Sequence, residues 1–108
     1  LRILLDNCVP WRLAQALAGH DVASMIKLGW ADLDDGPLLD IMAGKFDVLI
    51  TMDKNIRFQQ RLENRPVALL IRRARSNRLP DLLPLVPDIL RALNGVKSGE
   101  AIEVRETA

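Results

Sequence analysis

Short, continuous apolar runs separated by helix-patterned stretches set the expected fold. Ile3-Leu4-Leu5, Val48-Leu49-Ile50 and Val67-Ala68-Leu69-Leu70-Ile71 are strand-length runs with no polar alternation. Strands of that kind are buried on both faces, as in parallel sheets. The pattern predicts a first strand over 2–5 that ends at Asp6-Asn7, and a second over 21–24. A third runs over 48–51 and ends at Met52-Asp53, and a fourth over 67–71 leads straight into Arg72-Arg73.

Helical patterns fill the intervals. Pro10 suits the first turn of a helix over 11–18, which Gly19 closes. A short helix or turn passes Ile26 and Leu28 to Gly29. Asp34-Asp35-Gly36-Pro37 then opens a helix whose Leu38, Leu39, Ile41 and Met42 face inward. A short helix is expected over 55–62. Pro80, Pro84 and Pro87 punctuate a leucine-rich helical stretch, best formed over 87–93 with Gly95 beyond it, and 101–104 adds a last edge strand. The expected fold is one domain over 1–108, a three-layer α/β/α sandwich with a mostly parallel sheet of four to five strands.

Composition agrees with that class: 49% of the 108 residues are hydrophobic and 27% charged, far from the disordered regime. No apolar run approaches the roughly 20 residues that span a bilayer. Leu1 to Leu5 is too short for a secretory signal core, so the expectation is a cytoplasmic protein that does not enter membranes. One cysteine, Cys8, builds no internal disulfide, and one Cys with one His, His20, is too few for a structural zinc site.

The net charge of +1 conceals blocks. Residues 1–53 carry 4 basic and 8 acidic side chains, whereas 54–78 carry 8 basic residues against Glu63 alone. An acidic half beside an arginine-rich middle suits metal on one side and phosphate on the other; the plain alternative is a mixed, solvated surface.

Candidate chemistry follows from topology. Open α/β sheets bind ligands outside the carboxyl ends of their strands, near the switch in strand order. The residues there are Asp6-Asn7, then Met52-Asp53-Lys54-Asn55, then Arg72-Arg73 with Ser76-Asn77. Asp6 and Asp53 facing each other would repel unless a proton or cation lay between them. Mg²⁺ or Mn²⁺ suits such an all-oxygen site. Each acid also has a purely structural reading, Asp6 bonding loop amides and Asp53 capping the 55–62 helix. Asp35 or Asp40 offers a further ligand, with Asp40 at the rim of its helix, while Asp34 or Asp35 also suits an N-cap. Lys54, Asn55, Arg57, Arg72 and Arg73 are candidate phosphate contacts, arginine being suited to bidentate pairing.

Certain segments resemble a known group. Ile3-Leu4-Leu5-Asp6-Asn7 with Pro10, Gly19-His20-Asp21-Val22, Gly29-Trp30-Ala31, the stretch from Phe46 to Asn55 and Gln59-Gln60 look like small bacterial PIN-like proteins of uncharacterised function. That group is similar to the PIN-domain ribonucleases that act as toxins in toxin–antitoxin pairs. The resemblance implies an acidic pocket binding Mg²⁺ or Mn²⁺, in which Asp6 matches the first acid and Asp53 the acid after the third strand. It also implies RNA as substrate, an antitoxin protein as partner and a homodimer. Pro37 departs from the pattern, standing where relatives often carry glutamate, with Asp35 and Asp40 as substitutes.

Three functions are therefore expected in order. The first is a metal-dependent RNA endonuclease of the toxin type, using Asp6, Asp53, Asp35 and Asp40. The second is a non-catalytic PIN-like module that binds RNA or a partner protein. The third is a receiver-like phosphoacceptor, disfavoured because Asn7 and Cys8 follow Asp6 where a second acid belongs.

Overall fold

A computed structural model describes residues 1–52, 68–73 and 78–105 of the chain. The expected helix over 55–62 and the residues Asp53, Lys54, Asn55, Arg57, Ser76 and Asn77 lie outside the described residues.

The apolar runs form strands where the pattern places them. They are β1 (Arg2–Leu5), β2 (Asp21–Ser24), β3 (Val48–Thr51), β4 (Ala68–Arg73) and β5 (Ala101–Arg105). All neighbours pair in parallel, in the order β2-β1-β3-β4-β5. β1 is central to the acidic half: Leu5 lies opposite Ser24 on one side and Ile50 on the other. The chain leaves β1 for β2 on one flank and returns to β3 on the other. The switch in strand order therefore falls between β1 and β3.

Successive residues of each strand point to opposite faces, and two cores result. On one face Ile3, Leu5, Val48, Ile50, Ala68 and Val104 pack with Val9, Leu13, Leu17, Leu82, Leu85, Ile89 and Leu93. On the other, Leu4 and Leu49 pack with Met25, Leu38, Leu39 and Met42. Four α-helices occur among the described residues: α1 (Met25–Leu28), α2 (Asp35–Met42), α3 (Leu79–Leu82) and α4 (Val86–Gly95). None of them is long and apolar enough to cross a membrane.

The last helix takes in Val86 and Gly95 rather than ending before Gly95, and three other features differ from expectation. The expected helix after Pro10 forms as a 3-10 helix, Trp11–Ala16, and stops short of Ala18. Only Leu13 within it is buried, with Leu17 following, so a tight three-residue turn suffices to seat its apolar side. Ile41 is 37% exposed rather than inward, because Leu38, Leu39 and Met42 already fill the stripe facing the sheet. Arg72 and Arg73 belong to β4 and pair opposite Val104 and Arg105, instead of lying in a loop beyond the strand. Backbone pairing with β5 prolongs the strand past its apolar run.

At the amino edge of the sheet, Arg2 and Asp47 tie β1 to the approach of β3. The Arg2 amide donates to Asp47 Oδ2 at 2.8 Å, and its guanidinium donates to Oδ1 at 3.2 Å and to the Gly44 carbonyl at 2.9 Å. The Arg2 amide, followed by its side chain, holds the Asp47 carboxyl below its ordinary pKa. That acid is committed to structure.

Candidate functional site

The carboxyl edge is built differently. Asp6 follows β1 directly, and its amide continues the ladder by donating to the Ile50 carbonyl at 3.0 Å. This pairing sets the Asp6 side chain beside Thr51, the last residue of β3. The fully buried Thr51 hydroxyl donates to Asp6 Oδ2 at 2.5 Å, and the Asn7 amide donates to Oδ1 at 2.8 Å. The Cys8 thiol lies 3.7 Å from Oδ2. All three donors are neutral, so they orient the carboxylate without pairing it to a cation.

A cleft of about 640 Å³ opens in front of Asp6. Its walls include Asn7, Cys8, Met25, Asp34, Asp35 and Pro37. Two contacts bring the start of α2 to this place. The Asn7 side-chain amide donates to the Ala31 carbonyl at 2.9 Å, tying the β1 loop to the approach of α2. At the other end of that approach, Gly29 closes α1 at φ 75, a left-handed conformation suited to glycine, and the Trp30 amide reaches back to the Met25 carbonyl at 2.9 Å. Trp30 then packs edge-on against Phe46 beside the second core.

Asp34 occupies the N-cap position of α2, yet its side chain makes no capping hydrogen bond. The first helical bond is instead the Leu38 amide to the Asp34 carbonyl at 2.9 Å. Pro37 costs this helix nothing, since its position falls among the first four amides, which lack intrahelical acceptors anyway.

The expected site residues thus separate. Asp6 and Asp35 line one cleft, with Asp34 beside them. Asp40 is exposed, five residues along α2 from Asp35 and therefore on a different side of the helix. Asp53 lies outside the described residues, two positions beyond Thr51 in sequence. Among the described residues no group of three or more His, Cys, Asp or Glu side chains stands ready as a metal-ligand cluster. Thr51 opens the Thr-x-Asp-Lys segment that carries part of the resemblance, but its hydroxyl is connected with Asp6 only by the β1–β3 register.

Cys8 does not add a nucleophile here. Burial raises its thiol pKa above the ordinary 9.0, and the Asp6 charge adds to the rise against the lowering effect of a hydrogen bond at the Met52 backbone. Alkylation by iodoacetamide at pH 8 is expected to be roughly tenfold slower than in the urea-unfolded chain, with the rate still climbing above pH 9. Equal rates in the folded and unfolded protein would contradict a protonated, sheltered thiol.

Comparison with protein-family models, curated proteins and solved structures finds no match to this chain.

Proposed function

We propose that the Asp6 cleft is the hydrolytic site of a metal-dependent RNA endonuclease, built on a PIN-like, three-layer version of this α/β fold. The observation that carries the reading is the position of Asp6: at the switch between β1 and β3, held by Thr51, and open to a cleft shared with Asp34 and Asp35. The donors present are carboxylates, the hard oxygen ligands that suit Mg²⁺ or Mn²⁺. Asp6 and Asp53 would hold the ion, with Asp35 beside them. When bound, such an ion polarises water and neutralises charge on a phosphodiester. The chain's own part is to fix the Asp6 carboxylate through Thr51 and Asn7. Lys54, Asn55, Arg57, Arg72 and Arg73 are the proposed phosphate contacts. In this reading the protein is the toxin of a toxin–antitoxin pair.

Titration calorimetry with Mn²⁺ tests the site. One binding event is expected for the wild type, weakened at least about tenfold in Asp53→Asn. Equal binding by the two proteins would remove Asp53 from the site. Cleavage of single-stranded RNA should need Mn²⁺ or Mg²⁺ and stop in EDTA. Pro37 in the cleft wall favours a second reading, a PIN-like module that binds RNA or a partner protein without hydrolysis. RNA binding with no cleavage in Mn²⁺ is its signature.

A further inference from the structure

A second hollow, of about 310 Å³, opens beside the end of β2, lined by Trp11, Ala14, Val22, Ser24, Lys27 and Leu28 among others. Trp11 is 38% exposed. The Lys27 ammonium lies 3.8 Å from its ring centroid and the Arg12 guanidinium 5.3 Å from it. Ser24 is only 4% exposed, and its buried hydroxyl has no hydrogen-bond partner among the described residues. Ser24 and Met25 are consecutive, and Met25 lines the Asp6 cleft. The two hollows are therefore lined by consecutive residues at the end of β2.

We infer that this hollow receives a base of the RNA strand whose phosphate enters the Asp6 cleft, an inference that rests on RNA as the ligand proposed above. An aromatic ring flanked by two cations is the chemistry that takes a base together with its phosphate. The base replaces the Lys27 ammonium on the Trp11 ring, and Lys27 turns to a phosphate oxygen. The volume is at the lower end of small-ligand sites, which fits one unstacked base and excludes a duplex. Ser24 supplies the hydrogen bond to the base edge, giving a partner to a hydroxyl that otherwise lacks one. Positive charge at Lys27 and Arg12 favours a polyanion over an apolar partner. A second copy of the chain, pressed against exposed Ile26 and Leu28, is the rival occupant.

The test is fluorescence anisotropy with a fluorescein-labelled, eight-nucleotide single-stranded RNA of mixed sequence, in EDTA so that no cleavage occurs. Trp11→Leu is expected to weaken binding about tenfold, and Ser24→Ala and Lys27→Gln about fivefold each. Lys45→Gln, a change of the same charge at an exposed lysine away from the hollow, should leave binding within about twofold. Ser24→Ala removes an unpartnered hydroxyl, so its melting temperature should not fall, and its weakened binding is then not a folding defect. Wild-type affinity in both Trp11→Leu and Ser24→Ala would overturn the inference. So would equal losses from Lys27→Gln and Lys45→Gln, or a dimer by light scattering that Trp11→Leu dissociates while RNA binding is unchanged. Binding that depends on Trp11 and Ser24, in a protein that never cleaves RNA in Mn²⁺, would sustain this inference and overturn only the hydrolytic reading.

Discussion

Asp6→Asn is expected to lower Mn²⁺-dependent RNA cleavage by roughly 100-fold or more while leaving the protein folded. The two carboxylate oxygens of Asp6 do separate work, Oδ1 accepting from the Asn7 amide and Oδ2 from the Thr51 hydroxyl. Asparagine has the same shape and keeps one accepting oxygen. The Thr51 hydroxyl can rotate to accept from its new NH₂ group, so the loop after β1 keeps its hydrogen bonds. What disappears is the negative charge. A neutral amide is a poor ligand for a hard divalent ion, and the cleft loses the acid placed at the switch between strands. Thermal melting should move by only a few degrees, the scale of about 1 kcal/mol for one altered hydrogen bond. Cleavage at the wild-type rate by a folded Asp6→Asn protein would overturn the hydrolytic assignment.

Leu49→Ala is expected to destabilise the fold by about 3 kcal/mol, lowering the melting temperature by roughly 15 °C. Leu49 is fully buried on β3, opposite Leu4 on one side and Leu69 on the other. It joins Leu4 in the smaller of the two cores, against Leu38, Leu39 and Met42. With strands fixed on both flanks, the backbone cannot collapse into the space left by the lost side chain, so the cavity term is added to the lost transfer energy. Leu83→Ala is the comparison: Leu83 is 45% exposed on a 3-10 turn, and its truncation should cost no more than about 0.5 kcal/mol. Urea denaturation of the two variants measures both. Equal losses would mean that this face of the sheet is not the packed core described here.

The strands were legible because a doubly buried strand leaves a one-dimensional mark, an uninterrupted apolar run stopped by a polar residue. β1 and β3 fall where Ile3-Leu4-Leu5 and Val48-Leu49-Ile50 place them. Local pattern was weaker at the helices. Nothing in Trp11 to Ala18 distinguishes a 3-10 helix from an α-helix, since both bring residues three apart to one side. The inward set of α2 was one residue too generous for a similar reason: Leu38, Leu39, Ile41 and Met42 are all apolar, and only the sheet beneath them decides which one is left outside.

The same division holds for Asp6. By itself the sequence determined that an aspartate ends the first apolar strand, with another two residues after the third. It also determined that a cluster of acids opens the helix between them. Those are facts of order along the chain. The tertiary structure decided that β3 rather than β2 brings the Thr51 hydroxyl to Asp6, and that Asp34 and Asp35 share its cleft while Asp40 stands apart. The physical reason is that strand order and register are settled by burying two apolar faces at once, a contest between residues 19 to 45 positions apart that no local pattern records.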